Sequence, residues 1–106
     1  MVPALSVAGC IYNWLQSYQV VISGFEWDDD NVVHVARHQF SPEEVEEVFA
    51  GHHKVRRARK MLYIALGETF DGRLAFVVFR RAAGGLIRVI PARDMDEAER
   101  RLFRRK

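Results

Sequence analysis

The run Arg73–Arg80, RLAFVVFR, is apolar throughout its middle. A strand of that composition is expected at the centre of a sheet, buried on both faces. Turn signals bound it, Phe70–Asp71–Gly72 before and Ala83–Gly84–Gly85 after. Met61–Gly67 (MLYIALG) precedes it, with Tyr63 and Ile64 favouring extended structure. Leu86–Ile90 follows as another strand, which Pro91 is expected to end. A further strand is expected through Lys54–Arg57. Together these segments predict an antiparallel meander.

The upstream part has a different pattern. Gln19–Ser23 and Phe25–Trp27 alternate, which predicts one first strand bent or broken at Gly24. Asp28, Asp29 and Asp30 suit a helix N-terminus, where backbone N–H groups lack partners and the dipole is positive. The helix is expected over about Asp29–Arg37, with Val32, Val33 and Ala36 on one face. Ser41–Pro42–Glu43–Glu44 is a capping box with proline at the first helical position. Val45, Val48 and Phe49 form the apolar stripe of that second helix, and Gly51 can end it. Asp94 is expected to cap a last helix, with Asp96 and Glu97 in its first turn. Arg100, Arg101, Arg104 and Arg105 then lie near its end, complementing the dipole, and Leu102 and Phe103 dock it. The fold class is α+β: a mainly antiparallel four- to five-stranded sheet, two short N-terminal helices and a C-terminal helix. A chain of 106 residues has room for one domain and one modest core.

Residues 1–20 carry no charge and read as an N-terminal extension to a domain spanning 21–106. They lack a basic leader, and Asn13, Gln16, Ser17 and Gln19 interrupt their apolar patches, against a signal peptide or membrane span. Cys10 is the single cysteine, so neither an intramolecular disulfide nor a cysteine-based zinc site is expected. That usage suits a reducing, cytoplasmic setting.

Charge is segregated along the chain. Up to Ala50, Arg37 faces eight carboxylates, a net of −7; from Gly51 onward fifteen cations face six, a net of +9. The overall +2 conceals this dipole. A basic half on a small domain is the electrostatic footprint of a polyanion binder; the alternative is a solvated surface whose charges happen to segregate.

Arg88 and Arg93 are the leading candidates for chemistry. Arg88 lies in an otherwise apolar strand and must reach a wet or paired sheet face; Arg93 stands where that strand hands over to the last helix. Two guanidiniums there can grip a phosphate bidentately and remain charged at any working pH. The structural alternative is an ion pair, for example Arg93 with Glu97. His34 and His38 stand four apart, but without a Glu beside His34 or a third ligand the zinc reading is weak. His38 is a better candidate as proton carrier, with Lys60 second. His52 and His53 read as solvated loop residues. Arg56, Arg57, Arg59 and Lys60 are the densest basic run outside the last helix. Arg59 and Lys60 beside the ring of Tyr63 could track a nucleic-acid backbone, or could simply solvate a sheet edge. The Asp triplet lacks an EF-hand ligand pattern, and no phosphate-binding glycine loop or nucleophile elbow is present. No metal or cofactor is expected.

Phe25–Glu26–Trp27–Asp28, then Arg37–His38 with Phe40–Ser41–Pro42–Glu43–Glu44, then Ala65–Leu66–Gly67, Gly72–Arg73–Leu74 and Ile87–Arg88–Val89–Ile90–Pro91–Ala92–Arg93 follow one another in an order that resembles the BrnT family of type II toxins, over about residues 21–106. The resemblance implies a RelE-like fold and an RNA-cleaving activity that inhibits translation. It also implies a neutralising ribbon-helix-helix antitoxin (BrnA-like), through which alone DNA would be bound. Arg88 and Arg93 match the family's arginines in the IRVI-x-AR segment. His38 matches the histidine of its usual Lys-His-Gly, with Arg37 and Gln39 in the flanking places. The family's arginine before the aromatic residue of the ALG strand is Leu62 here.

The preferred reading is therefore a metal-independent endoribonuclease, in which the RNA 2′-hydroxyl attacks the adjacent phosphate. Arg88, Arg93 and His38 are its catalytic candidates, and Arg59, Lys60 and Tyr63 bind RNA. An acidic or mixed antitoxin surface is expected against Arg93, Arg100 and Arg104. The rival reading is a non-catalytic module, a degenerate toxin that binds its antitoxin or RNA.

Overall fold

The computed structural model describes residues 22–105. The expected extension, Cys10 and most of the Gln19–Ser23 strand lie outside them. Within them the order is β1 (Gly24–Phe25), α1 (Asp29–Ala36), α2 (Pro42–Ala50), β2 (His53–Arg57), β3 (Leu62–Glu68), β4 (Leu74–Arg81), β5 (Leu86–Asp94) and α3 (Glu97–Arg104). The five strands form one sheet in the order β1-β5-β4-β3-β2, antiparallel except where β1 runs parallel to β5. RLAFVVFR is central, as its composition requires.

Strand alternation divides the sheet into two faces. On one, Val55, Ala65, Ala75, Val77, Phe79, Ile87, Val89 and Ala92 pack under Val35 of α1, Phe40 and Val45 and Val48 of α2. On the other, α3 seats Phe103 and Leu102 against Leu66, Met95, Phe76 and Leu74. The ALG segment shows why residue size matters. A Cβ on Gly67 would come within 2.7 Å of Val48 Cγ1 and 2.9 Å of His53 Cβ, so α2 sits this close only over a glycine. Leu66, between Ala65 and Gly67, points the opposite way, to α3.

The helices begin as the capping signals dictate. Asp28 accepts from Asn31 N and Ser41 from Glu44 N, and in each box the third residue's side chain accepts in return from the cap N–H. Four details differ from expectation. The buried positions of α1 are Asn31 and Val35, while Val33 is 53% exposed. Asn31 earns its place by donating to Glu26 O at 2.8 Å and Val89 O at 3.2 Å, which ties the helix to β5. Pro91 does not end β5: the β4–β5 register shifts between Val77 and Phe79, and Pro91 falls in that bulge, where a missing N–H costs no ladder bond. Asp94 ends β5, and the cap of α3 is Asp96, which accepts from Glu99 N. His53 is no loop residue; it opens β2, with its ring edge-on to Phe49 at 5.4 Å.

Candidate functional site

Among the described residues, the face under α3 is only partly covered. Beyond the helix, Arg56, Ile64 and Val78 stand in one cross-strand row, with the Ile90–Pro91 bulge facing Val78. The next row is Leu62, Arg80 and Arg88. Leu62, Ile64, Val78 and Ile90 are half-buried, and Arg56 and Arg80 are exposed. An apolar floor is thus rimmed by guanidiniums, with Arg93 at its α3 end.

The segment Phe25–Asp28 builds one corner of this site by alternation. Phe25 and Trp27 turn to the helical side, where Trp27 Nε1 donates to Glu46 Oε2 at 2.8 Å. Glu26 and Asp28 turn to Arg88. Its Nη1 lies 2.8 Å from Asp28 Oδ2 and 3.3 Å from Glu26 Oε1, and its Nη2 3.1 Å from Asp28 Oδ1. Asp28 therefore caps α1 and clamps Arg88 with the same carboxylate. The hydrogen bond from Arg88, with that from Asn31, holds the Asp28 carboxyl below its usual range; Asp28 raises the Arg88 guanidinium in turn.

Arg80 stands directly opposite Arg88 on the neighbouring strand. Like charges so placed repel across a ladder. Glu26 and Asp28 answer Arg88, but among the described residues Arg80 has no ion pair. The row holds a cation in want of an anion.

Arg93 is held differently. Its guanidinium lies 3.9 Å over the Phe76 ring and makes a bidentate pair with Glu99, both bonds 2.9 Å. The partner is Glu99 of α3, not Glu97, which instead stands 4.0 Å from Arg101. That hydrogen bonding, outweighing desolvation, raises Arg93 above the ordinary guanidinium value. Arg93 thus pins α3 while leaving its side chain 38% exposed at the site's edge. Lys54 pins the other end of α3. Its Nζ donates to Leu102 O at 2.8 Å and Arg105 O at 2.6 Å, satisfying helix C-terminal carbonyls; burial, then Arg105, lowers its pKa. Its place just upstream of the basic run concealed this structural task.

Arg88 and Arg93 share a face but lie five residues apart along β5, about 15 Å. His38 is not brought to them. It follows α1 on the helical side, and its carbonyl accepts from Arg73 Nη2 at 2.7 Å. Arg73 Nε also reaches Asp94 Oδ1 at 2.8 Å, the main reason the Asp94 carboxyl is lowered. Arg59 and Lys60 are exposed in the β2–β3 turn. Tyr63 faces the helical side, stacked on Phe79 at 5.4 Å. Arg100 and Arg104 are exposed four apart on α3. Sequence reading passed over Arg80; the available signal was a charged residue closing an apolar strand.

The sequence model of the family described as "Ribonuclease toxin, BrnT, of type II toxin-antitoxin system" matches residues 27–99. The chain belongs to the BrnT family. Membership brings an RNA target and an antitoxin partner. The crystal structure of the Brucella abortus ribonuclease toxin BrnT, at 1.1 Å, superposes with a TM-score of 0.57 over 70% of this chain and 97% of that one. At 19% identity this shows a shared fold. No curated protein is significantly similar to the chain. Among the described residues, no helix of this BrnT-family chain is long and apolar enough to cross a membrane.

Proposed function

We propose that this chain is a metal-independent endoribonuclease that cuts RNA by transesterification on the open sheet face. The observation that carries the reading is the juxtaposition of Arg80 and Arg88 in one row. A scissile phosphate between them supplies the missing anion, and its displacement of Asp28 or Glu26 frees Arg88 to follow the charge that grows on the phosphorane. Guanidiniums aimed at that charge stabilise the transition state without a proton of their own. The 2′-oxygen attacks phosphorus, the bond to the 5′-oxygen breaks, and the products are a 2′,3′-cyclic phosphate and a 5′-hydroxyl. Glu26 is the half-exposed carboxylate placed to take the 2′-proton from a nucleotide at Arg88. His38, which is not brought to this phosphate, can contact RNA passing Arg93 around the end of β5 and carries no proton at the scissile bond. Arg59 and Lys60 carry the strand onward, and the leaving oxygen is protonated from solvent.

The test is cleavage of total RNA by purified protein in EDTA, with growth curves for induced wild type, Arg88→Ala and Arg93→Ala at matched soluble expression. Cutting should persist in EDTA and arrest should be lost in both variants. Activity abolished by EDTA and restored by magnesium or zinc would reject the mechanism. Glu26→Gln and His38→Ala test the two candidate proton carriers: cutting should fall in the first and persist in the second.

One observation favours the rival, a non-catalytic antitoxin-binding or RNA-binding module: both arginines are already engaged by carboxylates. RNA binding without arrest or cleavage would select it. Under either reading the antitoxin is proposed as a ribbon-helix-helix protein with acidic side chains against Arg93, Arg100 and Arg104. Arg100→Glu with Arg104→Glu should weaken co-purification of a tagged partner, most at low salt.

A further inference from the structure

Where the β2–β3 turn meets the ends of β3 and β4, a cavity of about 160 Å³ is lined by Arg57, Met61, Tyr63, Arg80 and Arg81. The three guanidiniums are exposed, no carboxylate lines the cavity, and none of the three is ion-paired among the described residues. Tyr63 forms one wall, with the Arg81 guanidinium 5.6 Å from its ring centroid. Met61 forms the rim and is 78% exposed.

The turn that presents Met61 is strained. Lys60 and Met61 have φ of 57° and 65°, a left-handed backbone that side-chain-bearing residues adopt at a cost. Leu62 N donates to Arg59 O across them, as in the hairpin turns that need two positive φ values. Asn-Gly would close this hairpin without strain. The chain keeps Lys-Met and holds a thioether out at a basic cavity.

Arg57, Tyr63 and Arg81 turn to the helical side, and Arg80, which also lines the cavity, turns to the open face opposite Arg88, so Arg80 joins the two around the sheet's end. We propose that the cavity holds one unstacked base of single-stranded RNA, that of a nucleotide adjoining the phosphate gripped by Arg80 and Arg88. The inference deepens the ribonuclease reading and rests on it for the position of that phosphate. The volume is below the roughly 300–1,000 Å³ of pockets that enclose a whole small ligand, and suits a flat ring entering from one side. Guanidinium planes, a thioether and a tyrosine are partners on which bases stack. Guanidiniums only donate hydrogen bonds, so the preferred base presents paired acceptors. Guanine, with O6 and N7 side by side, matches a bidentate arginine best.

The test uses binding, so that it does not depend on cleavage. A short fluorescent single-stranded RNA carries 2′-deoxy sugars at its candidate cleavage positions and cannot be cut. Guanine, cytosine or an abasic nucleotide is placed at each position in turn, and affinity is read by anisotropy. At one position wild type should lose roughly tenfold in affinity on going from guanine to abasic. The Met61→Ala, Arg81→Ala double variant should be insensitive to the same change, and Arg57→Ala should give a partial loss of sensitivity. Thermal melts confirm that these exposed substitutions leave the fold intact. Equal sensitivity in wild type and double variant overturns the proposal. So does a variant that binds every RNA normally but loses polyglutamate, which would assign the cavity to an acidic protein segment. A wild-type protein that shows base dependence yet never cuts unlabelled RNA would sink the ribonuclease reading and leave the cavity assignment standing.

Discussion

The two faces of the sheet are made by the same strands and differ in nearly everything else. Under α1 and α2, Val55, Ala65, Val77, Phe79, Ile87 and Val89 are at most 1% exposed, and among the described residues no charged side chain of that face is buried. On the other face α3 covers only one end, and the remaining apolar side chains are half-buried among Arg56, Arg80, Arg88 and Arg93. The contrast shows how a domain this small separates stability from chemistry. Successive residues of one strand point to opposite faces, so Phe79 can anchor the core while Arg80 serves a ligand. Eight of the fourteen acidic residues lie on α1, α2 and the segment leading into α1, and fifteen of the sixteen basic ones follow α2.

The largest effect should come from breaking the covered face. Phe79→Ala removes the largest fully buried side chain among the described residues and should cost about 3–5 kcal/mol in urea unfolding. Its neighbour Arg80→Ala should stay within about 0.5 kcal/mol; similar losses for both would erase the distinction between the faces. Next, Arg88→Ala should lower the RNA cleavage rate on the order of 10²–10³-fold, the scale for removing one donor aimed at transition-state charge. Arg93→Ala should be mixed. Losing the partly exposed Glu99 pair and the Phe76 contact should cost about 1–2 kcal/mol, and exchange of α3 amides should rise more than that of β4.

A pH titration sharpens the same comparison. Asp28 and Asp94 have carboxyls lowered chiefly by hydrogen bonds from Arg88 and Arg73. A group depressed on folding adds stability above its unfolded value, and this is lost as pH falls through the folded value. Acid destabilisation from this pair should therefore set in below about pH 4. Arg88→Met should flatten the Asp28 part of it, read as urea midpoints across the acid range. A small stabilisation is expected at Gln39, whose φ of 64° is left-handed. Gln39→Gly should stabilise by about 0.5–1 kcal/mol, because glycine adopts that backbone without a Cβ penalty. The resembled family has glycine in this place, so the structure supplies a physical reason for that preference.

Much of the fold was legible because its signals are local. The carboxylates at Asp28–Asp30, the capping box at Ser41, the turns at Gly72 and Gly84, and the apolar run of β4 each act within a few residues of chain. The misplacements were local signals overridden from afar. Pro91 looked like a stop because a proline N–H is missing, and the bulge opposite Val78 made that harmless. Val33 looked like core by spacing, but β5 selects the face of α1 through Asn31. Of the site, Arg88 and Arg93 could be picked out as charges in an apolar context. Their partners could not, since Asp28 lies 60 residues from Arg88.

The sequence alone determined the α+β class, the central strand and the segregation of charge, because propensity, capping and alternation are written in neighbouring residues, and the order of its motifs carried the resemblance to a toxin family. Only the tertiary structure decided which guanidinium is answered by which carboxylate. It placed Arg80 opposite Arg88, sent His38 to the far end of α1, and gathered Arg57, Met61 and Arg81 around one cavity. Those outcomes depend on strand register and on how much of a face one short helix covers. Both are settled by packing between segments distant in the chain.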